Sequence, residues 1–281
     1  MRKSNLKDRK LKKIGIIFFS ILGIFWSLFP VYWMLKSSIT PDNEMYKLNP
    51  SLFPSKITFI HYKDLFTQTK FMTNFWNSLY VSIFSTAIAL FFSIIGSYAM
   101  VRLRYKGRLF IKNSIFFSYL LPASVLFIPM YIMASKVGLG NNKNALVIVY
   151  QTFIIPYCCY MLMSYFVAIP KAMEEAAYID GCSHIQALIR VILPIALPSI
   201  AVVATFAFTL SWNEYLYALV ITTSPSQQTV TIGISNFKYS DTFIWGLIMS
   251  SSVVASIPAV SLYMLAQRFL KTGLAAGGVK Q

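Results

Sequence analysis

Residues 71–101 read FMTNFWNSLYVSIFSTAIALFFSIIGSYAMV, a run without any Asp, Glu, Lys or Arg. A helix of about 20 apolar residues is long enough to cross the hydrocarbon core of a bilayer. Such a helix also pairs its own backbone N–H and C=O groups, which lipid would leave unpaired. The run therefore predicts a transmembrane helix, and it sets the fold class.

Five further windows lack charged residues and have the length of a span. They are residues 14–35, 113–135, 144–170, 191–213 and 242–267. Across the chain, 57% of residues are hydrophobic and only 12% are charged, whereas soluble domains carry roughly 25% charged residues. We therefore predict an all-α polytopic membrane protein with six transmembrane helices. Pro122, Pro129 and Pro156 lie inside these windows and are expected to kink their helices.

The formal net charge of +16 follows the membrane topology. If the N-terminus is inside, 17 of the 25 basic residues lie in inner segments and 8 in outer ones. Basic residues favour the cytoplasmic side, so both termini are predicted to be cytoplasmic. The excess charge then suits anionic lipid head groups rather than nucleic acid. The first apolar window is too long for a typical signal-peptide core, and we expect it to be a retained helix.

These features predict three parts: a basic tail at residues 1–13, a six-helix membrane domain at 14–269 and a cytoplasmic tail at 270–281. The short basic turn 102–112 and the longer loop 170–193 are predicted to lie inside, and residues 222–241 outside. The three cysteines form no CxxC pair, so we expect neither zinc nor a disulfide framework.

The inner loop 170–193 contains a polar island, EEAAYIDG at 174–181, followed by VILP at 191–194. Pro170 and Gly181 suit the two ends of a short helix, and Ser183 with Gln186 forms a capping box that starts a second one. The second helix has one apolar face: Ile185, Leu188, Ile189 and Ile192. Three carboxylates beside two alanines suggest a docking site for a soluble partner. The alternative is an ordinary interfacial amphipathic hairpin.

Several common catalytic motifs are missing from the sequence. It has no G-x-x-x-x-G-K-[ST] phosphate loop, no H-E-x-x-H and no G-x-S-x-G. His61 and His184 fall in different predicted compartments, so they should not share a metal, and both are expected to be solvated. We predict no catalytic residue, no metal site and no enzyme activity for this chain.

Glu214 is the only ionisable residue of the predicted fifth span, and a carboxylate at this depth needs a partner or a watery cavity. One interpretation makes Trp212, Asn213, Glu214 and Tyr215 part of a pathway for a polar solute. Another is a hydrogen bond from Glu214 to an Asn, Ser or Tyr on a neighbouring helix. Two rival functions are an ion-coupled carrier with Glu214 as its coupling acid and a polytopic membrane enzyme. The enzyme would need paired acidic or metal-binding residues at one depth, and the sequence offers none.

The polar island resembles the EAA loop of permease subunits in ABC importers, whose pattern is E-A-A-x-x-x-G, nine residues and I-x-L-P. The matching positions are Glu175, Ala176, Ala177, Gly181, Leu193 and Pro194, with Val191 in place of the usual Ile. Asp180-Gly181, Ser211-Trp212-Asn213-Glu214 and the ending around Gln267-Arg268-Phe269 are similar to the carbohydrate branch, of the maltose-permease type. Within that branch the chain is similar to the shorter, second permease subunit.

The resemblance implies a type I permease fold in a bacterial plasma or inner membrane and a role as half of a pathway for a sugar or oligosaccharide. It also implies a longer homologous permease subunit, two cytoplasmic ATPase subunits that bind ATP and Mg, and an extracellular or periplasmic solute-binding protein that touches residues 222–241. The implied ATPase-coupling residues are Glu174, Glu175, Ala176, Ala177, Asp180, Gly181, Leu193 and Pro194. An importer of amino acids, peptides or phosphate esters is the alternative within the same class.

Overall fold

The computed structural model describes residues 4–49, 51–239 and 242–277, and these residues are almost entirely helical. The helices are α1 (Ser4–Ser38), α2 (Asp42–Met45), α3 (Ile60–Gln68), α4 (Phe71–Arg102), α5 (Arg108–Leu120), α6 (Ala123–Lys136), α7 (Lys143–Val149), α8 (Gln151–Ala168), α9 (Lys171–Ile179), α10 (His184–Ala187), α11 (Leu193–Trp212), α12 (Leu216–Ile221), α13 (Val230–Ser235) and α14 (Trp245–Gly277). Two short antiparallel strands, β1 (Lys238–Tyr239) and β2 (Thr242–Phe243), pair Lys238 with Phe243.

Five helical stretches of the described chain are long and apolar enough to cross a membrane. They are Lys12–Ser38, Phe71–Arg102, Lys143–Ala168, His184–Trp212 and Trp245–Arg268. A sixth span is formed if α5 and α6 are counted as one bent pair. The predicted all-α, multi-pass fold is thus confirmed.

The third window, 113–135, is not one continuous helix. α5 and α6 meet at an angle of 100°, with Leu121 extended and Pro122 preceding the first residue of α6. A proline offers no backbone N–H and disfavours helical geometry in the residue before it. Pro122 therefore breaks the helix here, whereas Pro129 and Pro156 lie inside helices.

The fifth span starts earlier than predicted. It begins at His184 and passes through a π-helical turn, Leu188–Ile192, directly into α11. In that turn the N–H of Leu193 donates to the carbonyl of Leu188, so the helix widens just before Pro194. Widening relieves the crowding that a proline ring imposes on the preceding turn. The second short helix of the inner loop is therefore the first part of this span. Of its predicted apolar face, Leu188 and Ile192 are buried, whereas Ile185 and Ile189 are exposed.

Most of the two predicted tails is helical. α1 already includes residues 4–13, and α14 continues to Gly277. Residues 1–3 and 278–281 of those tails lie outside the described part.

The chain divides into two compact units. The first comprises residues 1–69 and 236–254, and the second comprises residues 70–235 and 255–281. In the first unit His61 is 4% exposed and its Nε2 lies 2.9 Å from the carbonyl oxygen of Thr40. The prediction of a solvated His61 is wrong, because the ring packs on Gly246, where a Cβ atom would lie 2.3 Å from Nδ1.

The second unit is built around α4. One face of α4 carries small buried residues at intervals of three or four: Ser78, Ser82, Ser85, Ala89, Ser93 and Ser97. Small residues let membrane helices approach closely, and the hydroxyls of Ser93 and Ser97 donate to the carbonyls of Ile155 and Cys159 on α8. The main core then continues into α7, α11, α12 and α13, with Tyr150, Val203, Tyr217 and Ile232 among its buried residues.

Candidate functional site

α9 and the turn after it form a compact, locally determined unit. The N–H of Gly181 donates to Tyr178 and that of Cys182 to Ala177, the two bonds of a Schellman motif. Gly181 has a φ of +82°, which a glycine adopts without strain. The predicted capping box of Ser183 and Gln186 is present, with both reciprocal hydrogen bonds. The predicted helix, glycine stop and capped restart are therefore all confirmed.

Glu174 lies inside the protein, although sequence places it beside the exposed Glu175. Its Oε2 lies 3.1 Å from Nε of Arg102, and the two side chains are only 5% and 4% exposed. Its Oε1 accepts hydrogen bonds from the hydroxyls of Tyr98 and Tyr178. A buried carboxylate needs such a set of partners, because desolvation of an unpaired charge is costly.

This buried carboxylate joins α9 to two membrane helices. Arg102, the last residue of α4, also donates to the carbonyls of Phe166 and Ile169 at the end of α8. Tyr98 on α4 donates its hydroxyl proton to Glu174, and the same hydroxyl lies 3.2 Å from the carbonyl oxygen of His184 at the start of the fifth span. Hydrogen bonds and an ion pair thus connect α9, through Arg102 and Tyr98, to three spans.

Tyr178 completes the network on its outer side. Its hydroxyl donates to Glu174 at 2.6 Å and lies 2.7 Å from Nδ1 of His184. Desolvation, followed by the hydrogen bond to Glu174, raises the pKa of Tyr178 above its ordinary value. The hydroxyl therefore stays protonated and can act as a donor. His184 is exposed, as predicted.

The remaining predicted docking residues divide into an outer and an inner set. Glu175, Ala176 and Asp180 are exposed, and the neighbouring Ile179 is 87% exposed. Ala177 is 4% exposed and faces the protein interior. Leu193 is half-buried and Pro194 exposed, both on α11. The surface offered to a partner thus combines two carboxylates with an apolar side chain.

Glu214 lies between two helices and not within one. α11 ends at Trp212, and the carboxylate accepts hydrogen bonds from the N–H groups of Tyr217 and Ala218 at the start of α12, at 3.0 and 3.1 Å. It also accepts a hydrogen bond, at 2.9 Å, from the hydroxyl of Tyr150, the residue between α7 and α8. A negative side chain is favourable at a helix N-terminus. Of the two interpretations of Glu214, the structure thus shows the hydrogen bond to a tyrosine from a neighbouring span. It also shows that Glu214 caps the N-terminus of α12.

The four predicted pathway residues do not form one surface. Trp212 is 3% exposed, its Nε1 donates to the carbonyl of Ala255, and its ring stacks on Phe208 at 5.6 Å. Asn213 is exposed and Tyr215 is 37% exposed. Of the four side chains, those of Asn213 and Tyr215 are exposed, that of Glu214 is half-buried and that of Trp212 is buried.

Two buried asparagines at the start of α4 fix the backbone of the first part, 222–229, of the predicted outer loop. The Nδ2 atom of Asn74 donates to the carbonyls of Pro225 and Gln228, and that of Asn77 to the carbonyls of Ser226 and Gln228. Lys143 donates to Oδ1 of Asn77 at 2.8 Å. Pro225 and Ser226 remain exposed on this fixed turn.

Sequence reasoning missed Arg102, Tyr98, Asn74 and Asn77. Three of them had a signal in the sequence, since Asn74 and Asn77 are polar residues one turn apart at the start of an apolar window and Arg102 is the first charge after it, whereas Tyr98 had none. Among the described residues, no group of three or more His, Cys, Asp or Glu side chains is placed to hold a metal ion.

Comparison with known proteins gives a consistent result. Residues 93–275 match the family of binding-protein-dependent transport system inner membrane components. The chain is 36% identical to the inner membrane ABC transporter permease protein YcjP of Escherichia coli, over 97% of this chain and 98% of that protein. It is 33% identical to the diacetylchitobiose uptake system permease protein DasC of Streptomyces coelicolor, over 90% and 92% of the two chains.

A third relative is the trehalose/maltose transport system permease protein MalG of Thermococcus litoralis, 32% identical over 98% of this chain and 99% of that one. Among solved structures, a chain of a bacterial ABC transporter that imports the acidic polysaccharide alginate superposes with a TM-score of 0.79. It covers 93% of this chain and 97% of its own length at 22% identity, so it supports the fold alone.

Proposed function

We propose that this chain, which belongs to the family of binding-protein-dependent transport system inner membrane components, forms half of the translocation pathway for a sugar or oligosaccharide. Membership makes the chain a multi-pass permease subunit of an ABC importer and not an enzyme. The sugar is supported by the relatives named for diacetylchitobiose and trehalose/maltose, which match over at least 90% of this chain. An ion-coupled carrier is not favoured, since the carboxylate of Glu214 caps a helix.

The proposed assembly contains a longer homologous permease subunit, two cytoplasmic ATPase subunits and a solute-binding protein. ATP and Mg bind to the ATPase subunits. One solved relative, a bacterial alginate ABC transporter, is in complex with a periplasmic protein that carries an alginate pentasaccharide. In this chain the turn that presents Pro225 and Ser226 suits a contact with such a protein, because Asn74 and Asn77 hold its backbone in place.

We assign the ATPase contact to the exposed face of α9. Glu175 and Asp180 supply charge, Ala176 allows close approach and Ile179 supplies an apolar knob that is 87% exposed. Gly181 sets the bend that presents this face. Leu193 and Pro194 belong to the span that carries the motion into the membrane. Glu174 and Ala177 are buried, and their role is to fix the position of α9 on the helix bundle.

Transport then follows from the rigid connection of α9 to the spans. When ATP closes the ATPase dimer, the docked α9 moves, and the buried pair of Glu174 and Arg102 transmits the movement to α4 and α8. A partner shifts a conformational equilibrium only by binding its two states with different affinity. ATP binding to the companion subunits supplies that difference, because this chain has no phosphate loop.

The docking assignment is tested in the assembled transporter with Gly181→Val and Ala176→Trp. Both should abolish most substrate-stimulated ATPase activity and uptake, because the first distorts the bend and the second holds the surfaces apart. Ala177→Trp is unsuitable, because Ala177 is buried within the chain.

Gly138→Val is the matched control. Gly138 also has a positive φ, +75°, and open space around its α-carbon, but it lies in the turn after α6. This variant suffers similar backbone strain and should keep its coupling. Wild-type uptake and stimulated ATPase activity in Gly181→Val and Ala176→Trp would disprove the assignment.

A further inference from the structure

An aromatic surface on α5, α8 and α11 has no role in the contacts described above. Its rings belong to Phe116, Tyr119, Tyr157, Tyr160 and Phe206, here called the aromatic lane. Tyr119 and Tyr160 are stacked, with centroids 4.7 Å apart and planes 8° from parallel. Phe116 adjoins Tyr160 at 5.9 Å, Tyr157 adjoins Tyr119 at 6.1 Å, and Phe206 adjoins Tyr157 at 6.3 Å. The rings thus form one connected row.

The hydroxyl groups of the lane are unsuited to a lipid environment. Within the described part of the chain, the hydroxyls of Tyr119, Tyr157 and Tyr160 have no hydrogen-bonding partner. Tyr157 and Tyr160 lie inside the span Lys143–Ala168 and away from its ends, where interfacial tyrosines usually collect, and Tyr119 lies beside the break between α5 and α6. In hydrocarbon such a hydroxyl would have no hydrogen-bonding partner, which is unfavourable. Water or a hydroxylated solute would satisfy it.

The backbone beside the lane gives an independent indication. α5 ends at Leu120, one residue after Tyr119, and the break exposes Leu120 and Leu121 by 56% and 54%. The last carbonyl groups of a helix have no intrahelical partners. Non-helical backbone at membrane depth is tolerated only where protein covers it or where it lines a watery cavity. The break therefore indicates that water or a companion protein, and not lipid, covers this face of α5.

A cavity adjoins one end of the lane. Its volume is about 340 Å³, and Phe116 and Tyr160 form part of its wall together with Lys112, Asn113 and Ser164. Pockets of 300 to 1,000 Å³ with an apolar floor and a few polar groups are typical small-molecule sites. Because Lys112 belongs to the segment predicted to be cytoplasmic, the cavity lies at the inner end of the lane.

We propose that the aromatic lane and this cavity form the inner part of the carbohydrate pathway, an inference that rests on the proposed function. The C–H faces of a sugar ring pack on the tyrosine and phenylalanine rings. Its hydroxyl groups bond to the three tyrosine hydroxyls and, in the cavity, to Asn113 and Lys112. A row of similar rings gives weak, repeated contacts, so that a sugar can pass without being held at one point.

The first test is uptake by the assembled transporter in proteoliposomes, with labelled maltose, trehalose and diacetylchitobiose as probes. Tyr160→Leu and Tyr119→Leu should lower uptake about tenfold, as expected for loss of a ring contact, while ATP-driven cycling without sugar stays normal. Tyr160→Phe, which keeps the ring, should lose much less. Tyr263→Leu is the matched control, because Tyr263 is a 55% exposed tyrosine of α14 outside the lane.

The outcomes separate the two proposals. If the wild-type transporter carries one of the sugars and both leucine variants match it, the aromatic lane is refuted and the proposed function stands. If the wild type carries none of the sugars but does carry an amino acid, a peptide or a phosphate ester, the proposed function is refuted and the lane with it.

A second test needs no transport. In a background with Cys182→Ser, the variants Tyr119→Cys and Tyr160→Cys should react with a charged, water-soluble thiol reagent, and the transported sugar should slow the reaction. Cys158 and Cys159 are buried and give a low background. Failure of both sites to react would mean that lipid or the companion subunit covers the lane, and would overturn the proposal.

Discussion

At the scale of single residues, the two adjacent carboxylates Glu174 and Glu175 lie in different environments. Glu174 is 4% exposed and paired with Arg102, whereas Glu175 is exposed. Glu174→Ala leaves the arginine charge buried without its partner, which typically costs about 3–5 kcal/mol. Glu175→Ala should change stability by less than about 0.5 kcal/mol, as surface changes do.

The measurement is the free energy of unfolding of both variants in the same detergent. Glu175→Ala should instead weaken substrate-stimulated ATPase activity, since it removes a charge from the proposed docking face. Equal stability of the two variants would contradict the buried pair.

Glu214 gives a second prediction at this scale. Glu214→Ala leaves the N–H groups of Tyr217 and Ala218 and the hydroxyl of Tyr150 without their acceptor. Loss of such a cap costs about 1–2 kcal/mol, so the variant should unfold at lower temperature. Asn213→Ala, at an exposed neighbour, should not. If Glu214→Gln and Glu214→Ala both keep wild-type stability but lose uptake, Glu214 acts on the solute and not as a cap.

At the scale of elements, α13 is held on α4 by close packing at a glycine. A Cβ atom on Gly233 would lie 2.8 Å from Oδ1 of Asn74. Asn74 is buried and its amide is bonded to the turn 225–228, so it has no room to retreat. Gly233→Ala should destabilise the chain by about 1–3 kcal/mol, the usual cost of overpacking.

The control for this prediction is Gly140→Ala. A Cβ atom there meets its nearest neighbour, Oγ of Ser135, at 3.6 Å, which is ordinary contact. Thermal unfolding of the two variants is the measurement. An unchanged midpoint for Gly233→Ala would show that α13 and its turn move freely on α4.

The elements also show where sequence patterns succeed. Apolar length located the spans, and glycine and the capping box located the ends of the inner-loop helices, because these signals act within a few residues. The window 113–135 was harder. Of the prolines at 122 and 129, the first separates two helices bent by 100° and the second lies inside α6, and local pattern alone does not distinguish them.

At the scale of the whole molecule, the orientation in the membrane remains a prediction from charge. In a Cys182→Ser background, Lys106→Cys in the basic turn after α4 should react with an impermeant thiol reagent only in inside-out vesicles. Ser226→Cys, on the turn held by Asn77, should react only in right-side-out vesicles. Reaction of both positions from one side would contradict the assigned topology.

By itself, the sequence determined that the chain is an all-helical membrane protein, where most spans run and where the loop 170–193 bends, because hydropathy, proline, glycine and capping are local properties. Tertiary structure decided which of two neighbouring glutamates is buried, that Glu214 caps α12, and that His61 lies under Gly246. These outcomes depend on partners distant in sequence, such as Arg102 for Glu174 and Tyr150 for Glu214. A helix turns by about 100° per residue, so of two identical neighbours one can face the helix bundle and the other the outside, and only the packed structure shows which is which.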